Sequence, residues 1–375
     1  RSALVSGTAI IPSASLQQTL MSRATTVHID LTAISDNIAA LRAPLSDQKL
    51  IAVVKANAYG HGAVPVAQHI EAFVDALAVA YTEEALVLRE AGIKAPILVL
   101  EGPHAASDLA LAAKLDLWPV LHQEDQLQWC KSLAADLSQV WIKLDTGMHR
   151  LGFASDQVTS VRVQLQEMGI TSVTAMSHLA SAEDPDSALT QTQLANWSYH
   201  TGSWDAPTSL HNSAATRSSL AASSDWVRVG YALYGGQIQG LAPDPKIKAA
   251  MQLRSSVLTV RQVKSGESVG YGGRWTAQRD SLIATLPIGY GDGYPWAAAD
   301  GTPISINGQI APLAGQVSMD MTTVDVTDCV GVTTGAPAVL WGDQPHIDEV
   351  ANHCGTIGYE LMTRLTARAP RRYHS

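Results

Sequence analysis

The sequence contains few cysteines, and the three that it has are far apart. Cys130, Cys329 and Cys354 are too few and too widely spaced for a disulfide framework, and no two of them form a C-x-x-C metal-binding pair. Such sparse use of cysteine suits the reducing cytoplasm, where we expect this protein to work. The sequence also lacks any apolar run that approaches the roughly 18 residues of a transmembrane helix.

Charged residues are scarce as well, at 16%, and acidic residues outnumber basic ones by 34 to 25. The net charge of −9 argues against a general affinity for nucleic acids or anionic membranes. Hydrophobic residues make up 46% of the chain, which is typical of a globular protein with a large core and not of a disordered one. The 375 residues are enough for two domains.

The first 20 residues lack the sustained apolar segment of a secretory signal peptide and are rich in Ser, Thr and Ala. We predict that residues 1–20 form a disordered leader or an appended tail. The remaining sequence changes from apolar runs separated by long segments to short β-rich segments, and this change predicts two domains, 21–250 and 251–375. A first strand near 27–31 is able to pack with the second of them.

The stretch 50–62, L-I-A-V-V-K-A-N-A-Y-G-H-G, joins an apolar run to a lysine and a turn. A short apolar run rich in β-branched residues and closed by glycine is typical of a strand buried on both faces, as in a parallel sheet. Lys55 would then lie at the carboxyl end of that strand, where α/β folds place their chemistry. The pattern alone leaves two interpretations: a solvated lysine at the strand edge, or a partly desolvated amine that can attack a carbonyl.

Seven further apolar runs follow at intervals long enough for crossover helices. Eight strands alternating with helices over roughly 200 residues predict a (β/α)8 TIM barrel. A doubly wound open sheet is the alternative, but it would normally have fewer strands and often a G-x-G-x-x-G loop, which does not follow the first strand here. Thr32 and Thr82 are predicted to cap the first two helices. The predicted barrel strands are 50–54, 76–80, 96–100, 117–121, 140–145, 173–178, 209–212 and 226–230.

After about residue 251 the sequence changes to short β-rich segments separated by turn residues. Asn307-Gly308 lies between apolar pairs and is a strong signal for a β-hairpin. A final helix is predicted near 358–365. We therefore expect the barrel to be followed by a mostly β C-terminal domain.

Polar side chains follow the predicted barrel strands at the points where those strands end. Each has an ordinary explanation when it is taken singly, such as a buried core histidine or a helix cap. Since the carboxyl ends of barrel strands point at one shared pocket, their convergence favours a functional site. These residues are Lys55, Lys143 with Asp145, His178, Asn212 with Ser213, and Arg228 with Gly230.

Nine motifs in the same order make the chain resemble the alanine racemase family, from about residue 27 to residue 373. The first, A-V-V-K-A-N-A-Y-G-H-G at 52–62, is similar to the pyridoxal-phosphate attachment signature of that family. The resemblance implies an enzyme of fold type III that uses pyridoxal 5'-phosphate. The other motifs are K-L-D-T-G-M-H-R-L-G at 143–152, S-H-L-A at 177–180, H-N-S-A-A-T at 211–216, V-R-V-G-Y-A-L-Y-G at 227–235, V-G-Y-G-G-R-W at 269–275, G-Y-G-D-G-Y-P at 289–295, G-Q-V-S-M-D at 315–320 and G-Y-E-L-M at 358–362.

The resemblance also implies catalytic roles. Lys55 would hold the cofactor covalently and act as one base. Tyr271, reaching in from the second subunit of a dimer, would be the other base, because racemisation removes a proton from one face of Cα and returns one to the opposite face. Arg228 would face the pyridine nitrogen, to which a permanently protonated arginine cannot give a proton. His178 would bridge Arg228 and Tyr271.

Binding roles follow from the same resemblance. Arg150 would bind the substrate carboxylate with its planar fork, and Lys143, often carbamylated in the family, would hold that arginine in place. Ser318 departs from the cysteine that relatives often have before Met-Asp. The cofactor would also be bound by Tyr59, Asn212, Ser213, Gly230, Tyr231 and Tyr359, and the substrate or its entrance would be contacted by Met319, Asp320 and Tyr290.

The activity implied is the interconversion of L-alanine and D-alanine by a cytoplasmic homodimer with shared active sites, to supply D-alanine for peptidoglycan or to degrade it. Neither nucleic acid, membrane nor metal ion is expected to take part. A racemase of broader specificity remains an alternative. A basic amino-acid decarboxylase of the same fold resembles the chain less, since no C-E-S-G-D-like block is present. A non-catalytic pyridoxal-phosphate carrier would lack the C-terminal domain, and with it Tyr271 and Asp320.

Overall fold

The structure is a computed structural model that describes residues 23–218, 220 and 224–375. The predicted disordered leader, 1–20, lies outside the described residues. A strand, β1 (Thr26–Asp30), and a helix, α1 (Leu31–Arg42), precede the barrel. Within the described part of the chain, no helix is long and apolar enough to cross a membrane.

Eight parallel strands form a sheet that nearly closes into a barrel, which confirms the predicted (β/α)8 fold. Their order, β8-β7-β6-β5-β4-β3-β2-β9, leaves β8 and β9 at the two edges. Backbone hydrogen bonds join those edges, as from Arg228 N to His211 O at 2.9 Å. The strands are β2 (Lys49–Val53), β3 (Ala76–Val79), β4 (Ile97–Val99), β5 (Leu117–Leu121), β6 (Val140–Lys143), β7 (Val173–Met176), β8 (Thr208–Ser209) and β9 (Trp226–Val229).

Continuous apolar runs place these strands inside the protein. Leu50, Ile51 and Ala52 of β2 are fully buried, because successive side chains point alternately into the barrel and under the helices around it. The helices around the barrel are α2 (Ala63–Ile70), α3 (Thr82–Glu90), α4 (Ala106–Lys114), α5 (Glu124–Cys130), α6 (Val158–Glu167), α7 (Ala188–Thr201) and α8 (Ser213–Arg217).

The two predicted helix caps are wrong by one or two residues. Asp30 caps α1, since its carboxylate accepts a hydrogen bond from Ala33 N at 2.9 Å, and Thr32 already lies inside the helix. Thr82 is the first residue of α3, and Glu84 from the first turn reaches back to Ala80 N at 2.8 Å. In both cases a carboxylate, which accepts hydrogen bonds more strongly than a hydroxyl, satisfies the backbone at the helix start.

The C-terminal region is mostly β. Within the described residues its largest sheet has the order β16-β15-β18-β10-β1-β19, in which β1 pairs antiparallel with β10 and parallel with β19. The first strand of the chain therefore belongs to the C-terminal sheet. The elements of this region are β10 (Met251–Ser256), β11 (Thr259–Val263), β12 (Ser268–Val269), β13 (Trp275–Thr276), β14 (Ser281–Leu286), β15 (Pro303–Ile306), β16 (Gln309–Pro312), β17 (Thr322–Asp325), β18 (Pro337–Trp341), α9 (Ile347–His353), α10 (Gly358–Arg364) and β19 (Arg371–His374).

The hairpin predicted at Asn307-Gly308 is confirmed. Strands β15 and β16 pair antiparallel across it, and Asn307 and Gly308 have φ values of +51° and +77°. Two-residue turns of this kind favour Asn-Gly because both positions need a positive φ. The predicted final helix is confirmed as α10, whereas β18, which lies between β15 and β10, was not among the predicted segments.

Candidate active site

A cavity of about 880 Å³ opens at the carboxyl ends of the barrel strands. It brings together the polar residues predicted from the strand ends with one exception, Asp145, and adds several from the C-terminal region. The predicted residues that line it are Lys55, Tyr59, Lys143, Arg150, His178, Asn212, Ser213, Arg228, Gly230, Tyr231 and Tyr359.

Lys55 is followed at once by a turn of left-handed backbone. Four consecutive residues that are not glycine, Ala56 to Tyr59, have φ between +50° and +56°. Such a conformation costs about 1–2 kcal/mol per residue, so the surrounding structure must hold it in place. Gly60 continues the turn at φ +79°, and a Cβ at that position would lie 2.1 Å from Met362 O. The turn therefore packs directly on α10 of the C-terminal region.

Arg228 lies on β9 and is almost fully buried in the wall of the cavity. Its guanidinium donates hydrogen bonds to Ser209 O at 3.0 Å and to Ser177 O at 2.7 Å, and also to the Ser209 hydroxyl. Burial lowers the pKa of Arg228 to about 10, which leaves it protonated at neutral pH. Strand β8 and the residue that follows β7 thus fix the orientation of a permanent positive charge.

Other cations surround this arginine. Burial and the charges of Arg228 and Arg150 lower the pKa of Lys143 to about 8. Burial and the charges of Arg228 and Lys143 lower the pKa of His178 to about 3, so its ring is neutral at neutral pH. Lys55 contributes to both effects. The inner part of the cavity is therefore electropositive and suited to anionic groups.

On the opposite side of the cavity, Gly230 lets neighbouring side chains lie close to the backbone. Gly230 N donates to Ser213 Oγ at 2.9 Å, and a Cβ on Gly230 would lie 2.5 Å from the Tyr59 hydroxyl oxygen. Asn212 caps α8 by accepting from Ala215 N at 3.0 Å. Because Gly230 has no side chain, the hydroxyl groups of Tyr59 and Ser213 both lie close to its backbone at this corner of the cavity.

Tyr359 and Tyr231 stack at this corner, with ring centroids 3.6 Å apart and planes 11° apart. The Tyr231 hydroxyl donates to Asp348 on α9, at 2.5 Å. Burial raises the pKa of Tyr359 to about 12, so its phenol keeps its proton. Tyr231, at the end of the barrel, thereby fixes the position of Tyr359 from the C-terminal region.

Asp145 does not face the cavity, although it follows the same strand as Lys143. Its Oδ1 accepts from Gly147 N and His149 N, each at 3.0 Å, and its Oδ2 pairs with the His149 ring at 2.9 Å. The carboxylate thus closes its own turn. The D-T-G sequence explains this, since an aspartate before a glycine commonly bonds to the backbone two residues further on.

Four predicted residues from the C-terminal region do not line the cavity of their own chain: Tyr271, Tyr290, Met319 and Asp320. Tyr271 is 73% exposed and Met319 52% exposed. Asp320 forms an ion pair with Arg368 at 2.7 Å. The expectation that these residues reach a neighbouring subunit stays a prediction.

The cavity also contains carboxylates that were not predicted: Glu101, Glu183 and Glu360. Glu101 comes directly after the apolar run P-I-L-V-L, so the rule used for the other strand ends would have found it. Glu183 and Glu360 lie in a loop and on α10, and no local signal distinguishes them.

Comparison with known families agrees with this arrangement. The family model for the alanine racemase N-terminal domain matches residues 29–238, and the model for the alanine racemase C-terminal domain matches residues 250–373. The chain belongs to the alanine racemase family. This confirms the resemblance inferred from the nine motifs.

Individual alanine racemases match over nearly the whole chain. The enzyme from Chromohalobacter salexigens is 44% identical over 362 residues, which cover 95% of this chain and 99% of that protein. The crystal structure of the biosynthetic alanine racemase from Pseudomonas aeruginosa is 42% identical, with a TM-score of 0.89 over 94% of this chain and 100% of that one.

A third alanine racemase bears on the cofactor. The structure from Bartonella henselae, with covalently bound pyridoxal phosphate, is 29% identical, with a TM-score of 0.84 over 94% of this chain and 99% of that one. Alanine racemases are isomerases that act on an amino acid, so the predicted enzyme class is also confirmed.

Proposed function

We propose that this protein interconverts L-alanine and D-alanine with pyridoxal 5'-phosphate held on Lys55. The observation that carries the proposal is a single cavity that combines the lysine with three further cations and, on its other side, a glycine-lined corner. A racemase of broader specificity is the second candidate, since Glu183, in a loop, and residues of α10 line the cavity and can set its width.

The cavity fits the cofactor. A phosphate needs hydrogen-bond donors, and the Gly230 corner brings the hydroxyl groups of Tyr59 and Ser213 together beside the backbone. We assign the phosphate to Tyr59, Ser213, Tyr359 and the backbone of Gly230 and Tyr231. When bound, the cofactor supplies the electron sink for proton removal at Cα.

The protein's own residues then orient and move protons. We assign Arg228 to the ring nitrogen, where a guanidinium that stays protonated keeps that nitrogen from gaining a proton and so limits side reactions. Lys55 serves as the base on one face of the substrate and Tyr271 of the partner subunit as the base on the other. His178, which is neutral, can exchange a proton with Tyr271 while it is oriented by Arg228.

The substrate is held by its carboxylate. Arg150 lines the cavity and offers a planar fork for that group. Met319 and Asp320 of the partner subunit contact the substrate, and Tyr290 narrows the entrance. Ser318 precedes Met319 and pairs by its backbone with Tyr290 N at 3.0 Å, which favours a backbone role for this residue. We propose that the active form is a cytoplasmic homodimer, and that its racemisation of alanine supplies D-alanine for peptidoglycan or degrades it.

A chiral assay over a panel of amino acids tests the proposal. We expect L-alanine and D-alanine to be converted to a racemic mixture, and larger side chains such as that of leucine to react at least about 10²-fold more slowly, because each methylene that a pocket does not accommodate costs about 1–3 kcal/mol. Comparable rates for several side chains would favour the broader racemase. No conversion of alanine by protein that contains the cofactor would contradict the function.

Lys143 is the proposed site of carbamylation. With a pKa of about 8, about one lysine in ten is neutral at pH 7, against roughly one in 2,500 for a lysine in water. The neutral amine can attack carbon dioxide, form an N–C bond and release a proton. The resulting carbamate is an anion, and it would neutralise part of the charge of Arg150 and Arg228.

Carbon-13 NMR of protein equilibrated with labelled bicarbonate measures this modification. We expect a carbamate signal in the wild type and in the exposed-lysine control Lys131→Ala, and its loss in Lys143→Ala. The signal should grow as the pH rises toward 8, because the neutral amine is then more abundant. A signal that persists in Lys143→Ala would assign the modification elsewhere.

A further inference from the structure

The left-handed turn after Lys55 is fixed at its start by one carboxylate. Glu84, on α3, accepts a hydrogen bond from Ala56 N at 2.7 Å through Oε1 and from Ala80 N at 2.8 Å through Oε2. Tyr81 N also points at Oε2, at 3.4 Å. A single glutamate therefore joins the residue after the lysine to the end of β3.

The far end of the turn is held from two other directions. The Nδ1 atom of the buried His61 lies 3.0 Å from both Ala58 O and Tyr59 O. Arg371, from the C-terminal strand β19, donates to Gly60 O at 2.6 Å. Contacts from α3, from β19 and from His61 of the same segment thus hold a backbone conformation that is unfavourable by itself.

We propose that Glu84 is a positioning residue, which fixes the left-handed turn and thereby sets where Lys55 and Tyr59 meet the cofactor. The inference rests on the proposed function, in which these two residues grip different parts of the same small molecule. The turn begins at one of them and ends at the other, so a change in its backbone alters their separation. Glu84 does not line the cavity, and its contact with the turn is the hydrogen bond that it accepts from Ala56 N.

Both oxygens of the Glu84 carboxylate accept hydrogen bonds from the backbone. Replacing the carboxylate by an amide of the same size therefore tests whether both bonds are needed. Glu84→Gln has nearly the same size but one oxygen, so either Ala56 N or Ala80 N would face an amide NH2 group that cannot accept. Glu84→Ala removes both acceptors. Glu83 is the matched control: it lies on the same first turn, is exposed, and within the described residues makes no side-chain hydrogen bond. Glu83→Gln removes the same charge from the same helix start.

The first measurement needs no cofactor. Hydrogen exchange on the apo-protein should show faster exchange at residues 56–62 in both Glu84 variants, with strand 140–143 unchanged. The second is titration with pyridoxal phosphate, followed by its absorption. We expect the dissociation constant to rise about tenfold in Glu84→Gln and about 10²-fold in Glu84→Ala, because a small misplacement of reacting groups has effects of that size. Glu83→Gln should match the wild type in both.

Kinetics at temperatures well below unfolding separate positioning from a general structural role. A misplaced amine lowers kcat while the Arg150 contact keeps KM within about threefold. The proposal is overturned if the Glu84 variants lose thermal stability but keep the wild-type dissociation constant and kcat. It is also overturned if exchange at 56–62 is unchanged. A wild type that neither binds the cofactor nor racemises alanine would instead defeat the proposed function, and the exchange result would still stand.

Discussion

Replacing Lys55 by alanine is expected to give a folded protein that retains no cofactor after dialysis and has lost racemisation by about 10⁴-fold or more. The variant removes both the proposed covalent attachment point and one of the two proposed bases. The measurements are the visible absorption band of the bound cofactor and the chiral assay. A visible band that survives dialysis in Lys55→Ala would show that another amine carries the cofactor.

The loss in this variant should not arise from unfolding. Lys55 is one of the positive charges that lower the pKa of Lys143 and of His178, so its removal reduces repulsion between cations. We therefore expect the midpoint of thermal unfolding in the apo-protein to stay the same or rise. Lys49→Ala is the control, since Lys49 lies at the other end of β2, with its amine 4.9 Å from the Trp226 ring centroid, and should change neither absorption nor rate.

The sequence was sufficient to predict the barrel and most of the polar barrel residues that line the cavity. Strands buried on both faces read as continuous apolar runs, and the residue that follows each run must lie at the carboxyl rim. Lys55 and His178 follow this rule, whereas Arg228 lies within β9 near its carboxyl end. Glu101, directly after the third apolar run, follows the same rule and also lines the cavity.

The turn after Lys55 could not have been predicted from its own residues. Ala56, Asn57 and Ala58 have no intrinsic preference that would produce three left-handed residues in succession. The turn donates a hydrogen bond from Ala56 N to Glu84, 28 residues later, and Gly60 O accepts one from Arg371 at the other end of the chain. Long-range contacts of this kind leave no periodic pattern in the sequence.

At Asp145 the prediction was wrong for a local reason: the hydrogen bonds of the aspartate to its own turn outweigh its position at the end of a strand. The aspartate follows β6 and was expected at the rim with Lys143. Its carboxylate accepts instead from backbone groups of the next four residues. When an Asp can close a turn by itself, its position after a strand does not predict that it faces the pocket.

Replacing Tyr271 by phenylalanine is expected to lower racemisation by about 10²- to 10⁴-fold, the usual contribution of a general base. Cofactor binding should be unchanged, because the variant leaves Lys55 and the residues assigned to the phosphate intact. Tyr199→Phe is the matched control, since Tyr199 is 82% exposed on α7 and has no proposed role. Undiminished turnover in Tyr271→Phe would contradict the two-base proposal.

Mixing the two inactive variants tests whether Tyr271 acts across subunits. In a dimer of Lys55→Ala with Tyr271→Phe, one site has lost both bases, and the other combines the intact Lys55 of one chain with the intact Tyr271 of its partner. Random exchange of equal amounts makes about half of the dimers mixed. About a quarter of wild-type activity should then return, since each mixed dimer has one of two sites intact. If both bases came from one chain, no mixed dimer would contain a working site, and full subunit exchange would restore nothing.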